Sequence, residues 1–235
     1  MKKKIIVLGI LLTVFGFNQM NAQILSDKAM GALGKGVSGF TFSDADAVAL
    51  AQQSIAELDA NNPVAGPTDG YAIRLNRVFG KHASTDGVAL NYKVYLVKDI
   101  NAFACADGSV RVFAGLMDVM DDNELLAVIG HEIGHVVNHD TRDAIKAAYK
   151  KEALLDVASS QSGKIETLTS SQLGQLGSAM IDSKHSRKQE SEADSFSYNF
   201  MKKNGYDVNA VESAFRILQN LSQGAESCYI NKMRA

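Results

Sequence analysis

Apolar residues recur at helical spacing along most of the chain and alternate with polar ones in a single central region. From Ser43 to about Ala60 a capping residue precedes Ala-, Leu- and Ile-rich sequence, and Asn61-Asn62-Pro63 ends it, which predicts an entry helix. Tyr71 to Phe79 spaces Ile73, Leu75, Val78 and Phe79 at three and four and stops at Gly80, predicting a short second helix. Between Val88 and Val97 the period changes. Tyr92, Val94 and Leu96 fall on one side and Lys93, Tyr95 and Val97 on the other, as in a strand. Asn101 to Cys105 and Val110 to Phe113 are two more extended runs, and the Asp107-Gly108 pair between them predicts a hairpin. Asp121 and Glu124 stand at capping-box spacing and open the strongest helix, which runs through Leu125, Leu126, Val128 and Ile129 to beyond His135. Residues 141–158 stay helical in composition, Ser159 to Ser171 reads as a polar loop, and Leu173 to Ile181 resumes a helical pattern. A helix from about Ser186 to Lys203 closes at Asn204 and Gly205, and a last one from about Val208 to Leu221 stops near Gly224.

The first residues follow a different pattern. Lys2, Lys3 and Lys4 precede an almost unbroken apolar run from Ile5 to Phe17, and the small residue Ala22 follows where cleavage is expected. The run is shorter than the roughly 20 apolar residues of a comfortable membrane span. We read 1–22 as a signal peptide, with an uncleaved N-terminal anchor and peripheral membrane association as the alternative, and 23–235 as one domain with its core at about 88–222. The protein is then exported, to a periplasm, cell envelope or exterior. An oxidising compartment makes Cys105 and Cys228 candidates for one disulfide, two buried free thiols being the alternative. At 46% hydrophobic and 21% charged the chain can bury a sizeable core, which excludes a disordered chain. With 24 basic against 26 acidic residues it carries no basic footprint for nucleic acid.

The chemistry lies in the capped helix, at His131-Glu132-Ile133-Gly134-His135. Two imidazoles four residues apart stand one above the other on a helical face and can reach one ion at about 2.0–2.1 Å. Glu132, one position round, can hold and deprotonate a water that the ion has acidified to a pKa of about 7, and pass the proton to a leaving amine. With five His in the chain, chance produces such a match in on the order of half a percent of sequences of this composition. A zinc site needs a third protein ligand. Glu190 and Asp194 share a face of the second marked helix, so one can ligate while the other accepts the free N–H of a ligating His. Glu192 points roughly 200° away, toward solvent, although spacing alone leaves a swap with Glu190 open. His82, His139 and His185 are read as surface or structural, His139 about 12 Å along the same helix from His131.

His131 to His135, followed by Arg187-Lys188-Gln189-Glu190-Ser191-Glu192-Ala193-Asp194, resembles the zinc metalloendopeptidase family of the CAAX prenyl endopeptidase, HtpX and BepA, and in particular its small exported LoiP-like members. Asn101-Ala102-Phe103-Ala104 and Val110 to Leu116 are similar to that family's strand pair, and the likeness covers roughly residues 90–220. The resemblance implies zinc on His131, His135 and Glu190, Glu132 as the catalytic acid/base, and Asn101, Ala102, Phe103 and Ala104 lying along the substrate cleft. An exposed strand edge bonds an extended peptide whatever its side chains, so broad specificity is expected. The family usually carries a His-Pro segment and then an Arg after the last helix, which steady the oxyanion. This chain reads Ser227 to Ala235 there without them, and losing one such donor costs on the order of 10²–10³ in turnover. A Cys105–Cys228 bridge would hold the tail beside the cleft, with Tyr229 or Arg234 as substitute donors.

The expectation is a mostly helical α+β, gluzincin-like metallopeptidase domain with a small β-sheet or hairpin flanking the active-site helix and one Zn²⁺ per chain. Its partners are polypeptides, unfolded or misfolded, and its role envelope protein quality control. The alternative is a zinc-binding chaperone or assembly factor with weak or lost turnover.

Overall fold

The computed structural model describes residues 43–156, 170–181 and 184–233. The expected signal peptide at 1–22 and most of the polar loop expected at 159–171 lie outside the described residues, although Ser170 and Ser171 already belong to a helix.

Three strands, β3 (Asn91–Tyr95), β4 (Ala102–Ala104) and β5 (Ser109–Phe113), form a sheet in the order β3-β5-β4. β5 runs parallel to β3 and antiparallel to β4, with Phe103 opposite Arg111. The β4–β5 connection is the expected hairpin, and Gly108 takes the left-handed conformation there (φ 83°). Alternation along the strands divides the core in two. Val94, Ala102, Ala104, Val110 and Val112 face one cluster, with Leu125, Ile129 and Ile133 of helix α4 (Asp122–Val137). Tyr95, Phe103 and Phe113 face the other, with Leu50, Ile55 and Leu58 of α1 (Asp44–Asn61). The sheet is therefore buried on both faces.

A charged group stands inside that second layer. Arg111, 2% exposed, gives Nε and Nη2 to the two oxygens of Asp59 on α1 at 2.8 and 3.0 Å, and Lys93 and Tyr95 bond the same carboxylate. The network ties α1 to β3 and β5. Removing one partner of such a pair costs about 3–5 kcal/mol, because the other charge stays buried.

Helix α2 (Gly70–Phe79) and a 3₁₀ turn precede the strands, α3 (Ala114–Val119) links β5 to α4, and α5 (Asp140–Asp156), α6 (Ser170–Ile181), α7 (Arg187–Lys203) and α8 (Asn209–Met233) follow. The strand expected at Val88 to Val97 is two pieces. β1 (Ser84–Thr85) pairs with β2 (Val88–Ala89) around Asp86 and Gly87, both at positive φ, the geometry of a primed hairpin turn, and Leu90 separates β2 from β3. The last helix does not stop at Gly224 but continues to Met233, since one glycine costs a helix interior only about 1 kcal/mol.

Candidate active site

Helix α4 begins at a capping box: Asp121 accepts from the N–H of Glu124 at 2.8 Å and Glu124 accepts from that of Asp121 at 3.0 Å. Helix α7 begins with the same device between Ser186 and Gln189. The two helices cross through small residues. A Cβ on Gly134 would stand 2.9 Å from Cα of Ala193, one on Gly130 3.4 Å from Oγ of Ser197, and that hydroxyl donates to the carbonyl of Ala127 at 2.7 Å. This close approach sets His131 and His135 opposite Glu190 and Asp194.

The rings of His131 and His135 point Nε2 toward Nε2, 3.1 Å apart, and the two oxygens of Glu190 lie 3.6 and 3.8 Å from them. Adjacent ligands of a four-coordinate zinc with bonds of about 2.0–2.1 Å stand about 3.3 Å apart, so this donor set fits one small cation. The opposite nitrogens are spoken for. Nδ1 of His131 meets Asp194 and Nδ1 of His135 meets Asp140, each at 2.9 Å. Ionised carboxylates only accept, so each Nδ1 carries the proton and each neutral ring keeps its lone pair on Nε2.

Burial and the nearby His131 and His185 hold His135 toward its neutral form, against the pull of Asp140. Burial acts the same way on His131, but the Asp194 hydrogen bond and the charges of Glu132, Asp194 and Glu190 outweigh it and raise its pKa. Burial, reinforced by Glu190, lifts Glu132 to about 7 although His131 and the backbone N–H of Ala104 favour the charged form. A cation held by the three ligands would pull the other way and favour the charged carboxylate.

Strand β4 is an outer strand of its sheet. The Asn101 carbonyl accepts from Phe113 and the Cys105 N–H donates to Ser109, so the odd positions bond β5 and the backbone groups of Ala102 and Ala104 point away from it, where the Ala104 N–H meets the Glu132 carboxylate. Of the four residues read as lining the cleft, Phe103 turns its ring inward against Tyr95 and Phe113, and Asn101 precedes the strand. Cys105 is a buried free thiol, 1% exposed, its pKa pushed up by burial and by the charges of Asp107 and Glu132. It is not in a bridge, and the side chains of Cys228, Tyr229 and Arg234 lie outside the described residues.

Other sequence readings change in the folded chain. Glu192 is exposed and pairs with Lys188 at 3.5 Å, apart from the histidines. His139 is not on the His131 helix, which ends at Val137. It occupies a left-handed turn (φ 69°) that brings Asp140 back under His135. His185 is half-buried and structural, its ring stacked on that of His135, 3.8 Å between centroids at 16°. His135, Asp140 and His185 also present ligand atoms within 4.8 Å of one another, but the lone pairs of stacked rings lie in nearly parallel planes, and Nδ1 of His135 is engaged by Asp140. His82 is structural, bonded through Nε2 to the Tyr206 hydroxyl at 2.7 Å.

Sequence reasoning missed Asp140 and Gln189. The available signal was the rule that each ligating imidazole needs an acceptor on its far nitrogen, which left one histidine to be matched once Asp194 was assigned.

Residues 73–229 match the model of peptidase family M48. The metalloprotease YcaL of Escherichia coli (strain K12) is 41% identical over 197 residues, which cover 82% of this chain and 78% of its own length. LoiP, a metalloprotease of the same organism, is 38% identical over 201 residues, 84% of this chain and 80% of its own. A putative beta-barrel assembly-enhancing protease of Vibrio cholerae serotype O1 is 30% identical over 146 residues, 57% of this chain and 29% of its own length. The family match runs from α2 into α8 and so includes the helix that carries the histidine pair and the one that faces it: the chain belongs to peptidase family M48 and is a metalloprotease.

Proposed function

We propose that this protein is an exported zinc endopeptidase that cuts unfolded or misfolded polypeptides of the cell envelope. The observation that carries the reading is the convergence of two imidazole Nε2 atoms and the Glu190 carboxylate beside Glu132, next to the outer strand of the sheet. His131, His135 and Glu190 hold the ion, two nitrogens and a carboxylate being a catalytic zinc set that leaves one position for water or substrate. When bound, zinc supplies a Lewis acid that acidifies water and polarises the scissile carbonyl. Glu132 takes the proton of the attacking water and returns it to the leaving amine. Asp194 and Asp140 hold the two imidazoles in the ligating tautomer. The edge of β4 aligns an extended substrate through the backbone of Ala102 and the carbonyl of Ala104, which favours unfolded chains of varied sequence.

Export rests on the signal-like pattern of residues 1–22. No helix among the described residues is long and apolar enough to cross a membrane. The name of the Vibrio relative, an assembly-enhancing protease for β-barrels, supports an envelope role. The test is zinc-dependent cleavage of unfolded β-casein by the purified protein beside Glu132→Gln at matched zinc content. Cleavage by the wild type and none by the variant is expected. Casein retained but uncut by both zinc-loaded proteins would replace the peptidase with a zinc-binding chaperone or assembly factor.

A further inference from the structure

Gln189 uses both ends of its amide. Oε1 accepts from the N–H of Ser186 at 2.8 Å, closing the cap of α7, while Nε2 donates to Oδ1 of Asp140 at 2.8 Å. Ser186 offers a backbone donor and Asp140 an acceptor, so only this orientation of the amide satisfies both. The other oxygen of Asp140 receives the Nδ1–H of His135 at 2.9 Å. Asp140 is 5% exposed, so its carboxylate depends on protein donors, and two donors at fixed places set its plane.

We infer that Gln189 is a positioning residue of the metal centre: it locks Asp140, and through Asp140 the tautomer and tilt of His135, to the helix start that presents Glu190. The inference rests on the reading that His131, His135 and Glu190 hold the metal. Its consequence is geometric. His135 comes from α4 and Glu190 from α7, and the chain Ser186–Gln189–Asp140–His135 ties the two ligands into one frame beyond what helix packing provides.

The experiment measures zinc affinity of the metal-stripped full-length protein by competition with a chromogenic chelator, and urea midpoints of the same samples. Ser186→Ala removes the serine side of the cap and spares the Asp140 contact. It should lower the urea midpoint and leave zinc affinity within about twofold of wild type. Gln189→Met keeps the volume without the amide and should weaken zinc about 10-fold or more. Asp140→Asn alone leaves one acceptor oxygen for two donors, so either Gln189 or His135 loses its partner and faces an amide N–H. Combining it with Gln189→Glu reverses donor and acceptor in the Gln189–Asp140 contact and restores the wild-type charge, so the double variant should bind zinc more tightly than Asp140→Asn. Equal zinc affinity in Ser186→Ala and Gln189→Met, or no recovery in the double variant, would overturn the positioning role. His135→Ala separates the two readings: if it binds zinc as wild type does, the metal site itself is misassigned.

Discussion

At the scale of single residues, two carboxylates carry different kinds of energy. Asp59 is lifted by burial, but hydrogen bonds from Arg111, Lys93 and Tyr95 outweigh that and hold it at about 2, below its ordinary 3.8. A lowered folded value means that the stabilisation is complete above about pH 4 and is lost as the pH falls through 2. The shift corresponds to about 2 kcal/mol. Urea midpoints of the wild type and Asp59→Asn should therefore differ at pH 6 and converge between pH 4 and 2, whereas a constant gap would assign Asp59 a packing role only. Asp194 works through His131 instead. Asp194→Ala should leave the fold stable, since the residue is half exposed, and weaken metal binding about 10- to 100-fold by freeing the ring to change tautomer. Isothermal titration of the stripped protein reads this directly. Asp194 was legible because it shares a helical face with Glu190 four residues earlier. Asp140 was not, because its approach to His135 depends on a non-glycine residue, His139, turning left-handed.

At the scale of elements, the crossing of α4 and α7 makes the site. Gly134 meets Ala193 backbone to backbone, so Gly134→Ala must push the helices apart and should cost about 1–3 kcal/mol and most of the cleavage activity. A methyl group added at Gly174 on α6 would meet nothing within 4 Å, and Gly174→Ala should be neutral or stabilising by up to about 1 kcal/mol. Thermal melts of the pair separate close approach from helix propensity, and a Gly134→Ala protein as stable as the Gly174 variant would contradict the crossing. The helix starts at Asp121 and Ser186 were readable from their caps, which are local devices of four residues. The division of Val88 to Val97 was harder, since alternation looks the same in one strand or two, and the turn at Asp86-Gly87 set the break.

At the scale of the whole molecule, the metal is expected to bind a frame that already exists. α4 and α7 pack through Gly130, Gly134, Ala193 and Ser197, none of them a ligand candidate, so chelator-stripped protein should keep its helical circular dichroism. Adding zinc at about 100 times its Kd should then raise stability by about 2.7 kcal/mol. Loss of helix on stripping would make the ion a structural one. The short-range features were set by the amino-acid sequence itself: helix caps, the Asp107-Gly108 hairpin, and the placing of His131, Glu132 and His135 on one capped helix, because each depends on residues within about a turn of one another. Tertiary structure alone decided which acid serves which histidine, that His185 stacks on His135, that Arg111 is buried against Asp59, and that Cys105 is a free thiol. Those pairings join residues brought together by helix crossings and sheet packing, and no local spacing encodes them.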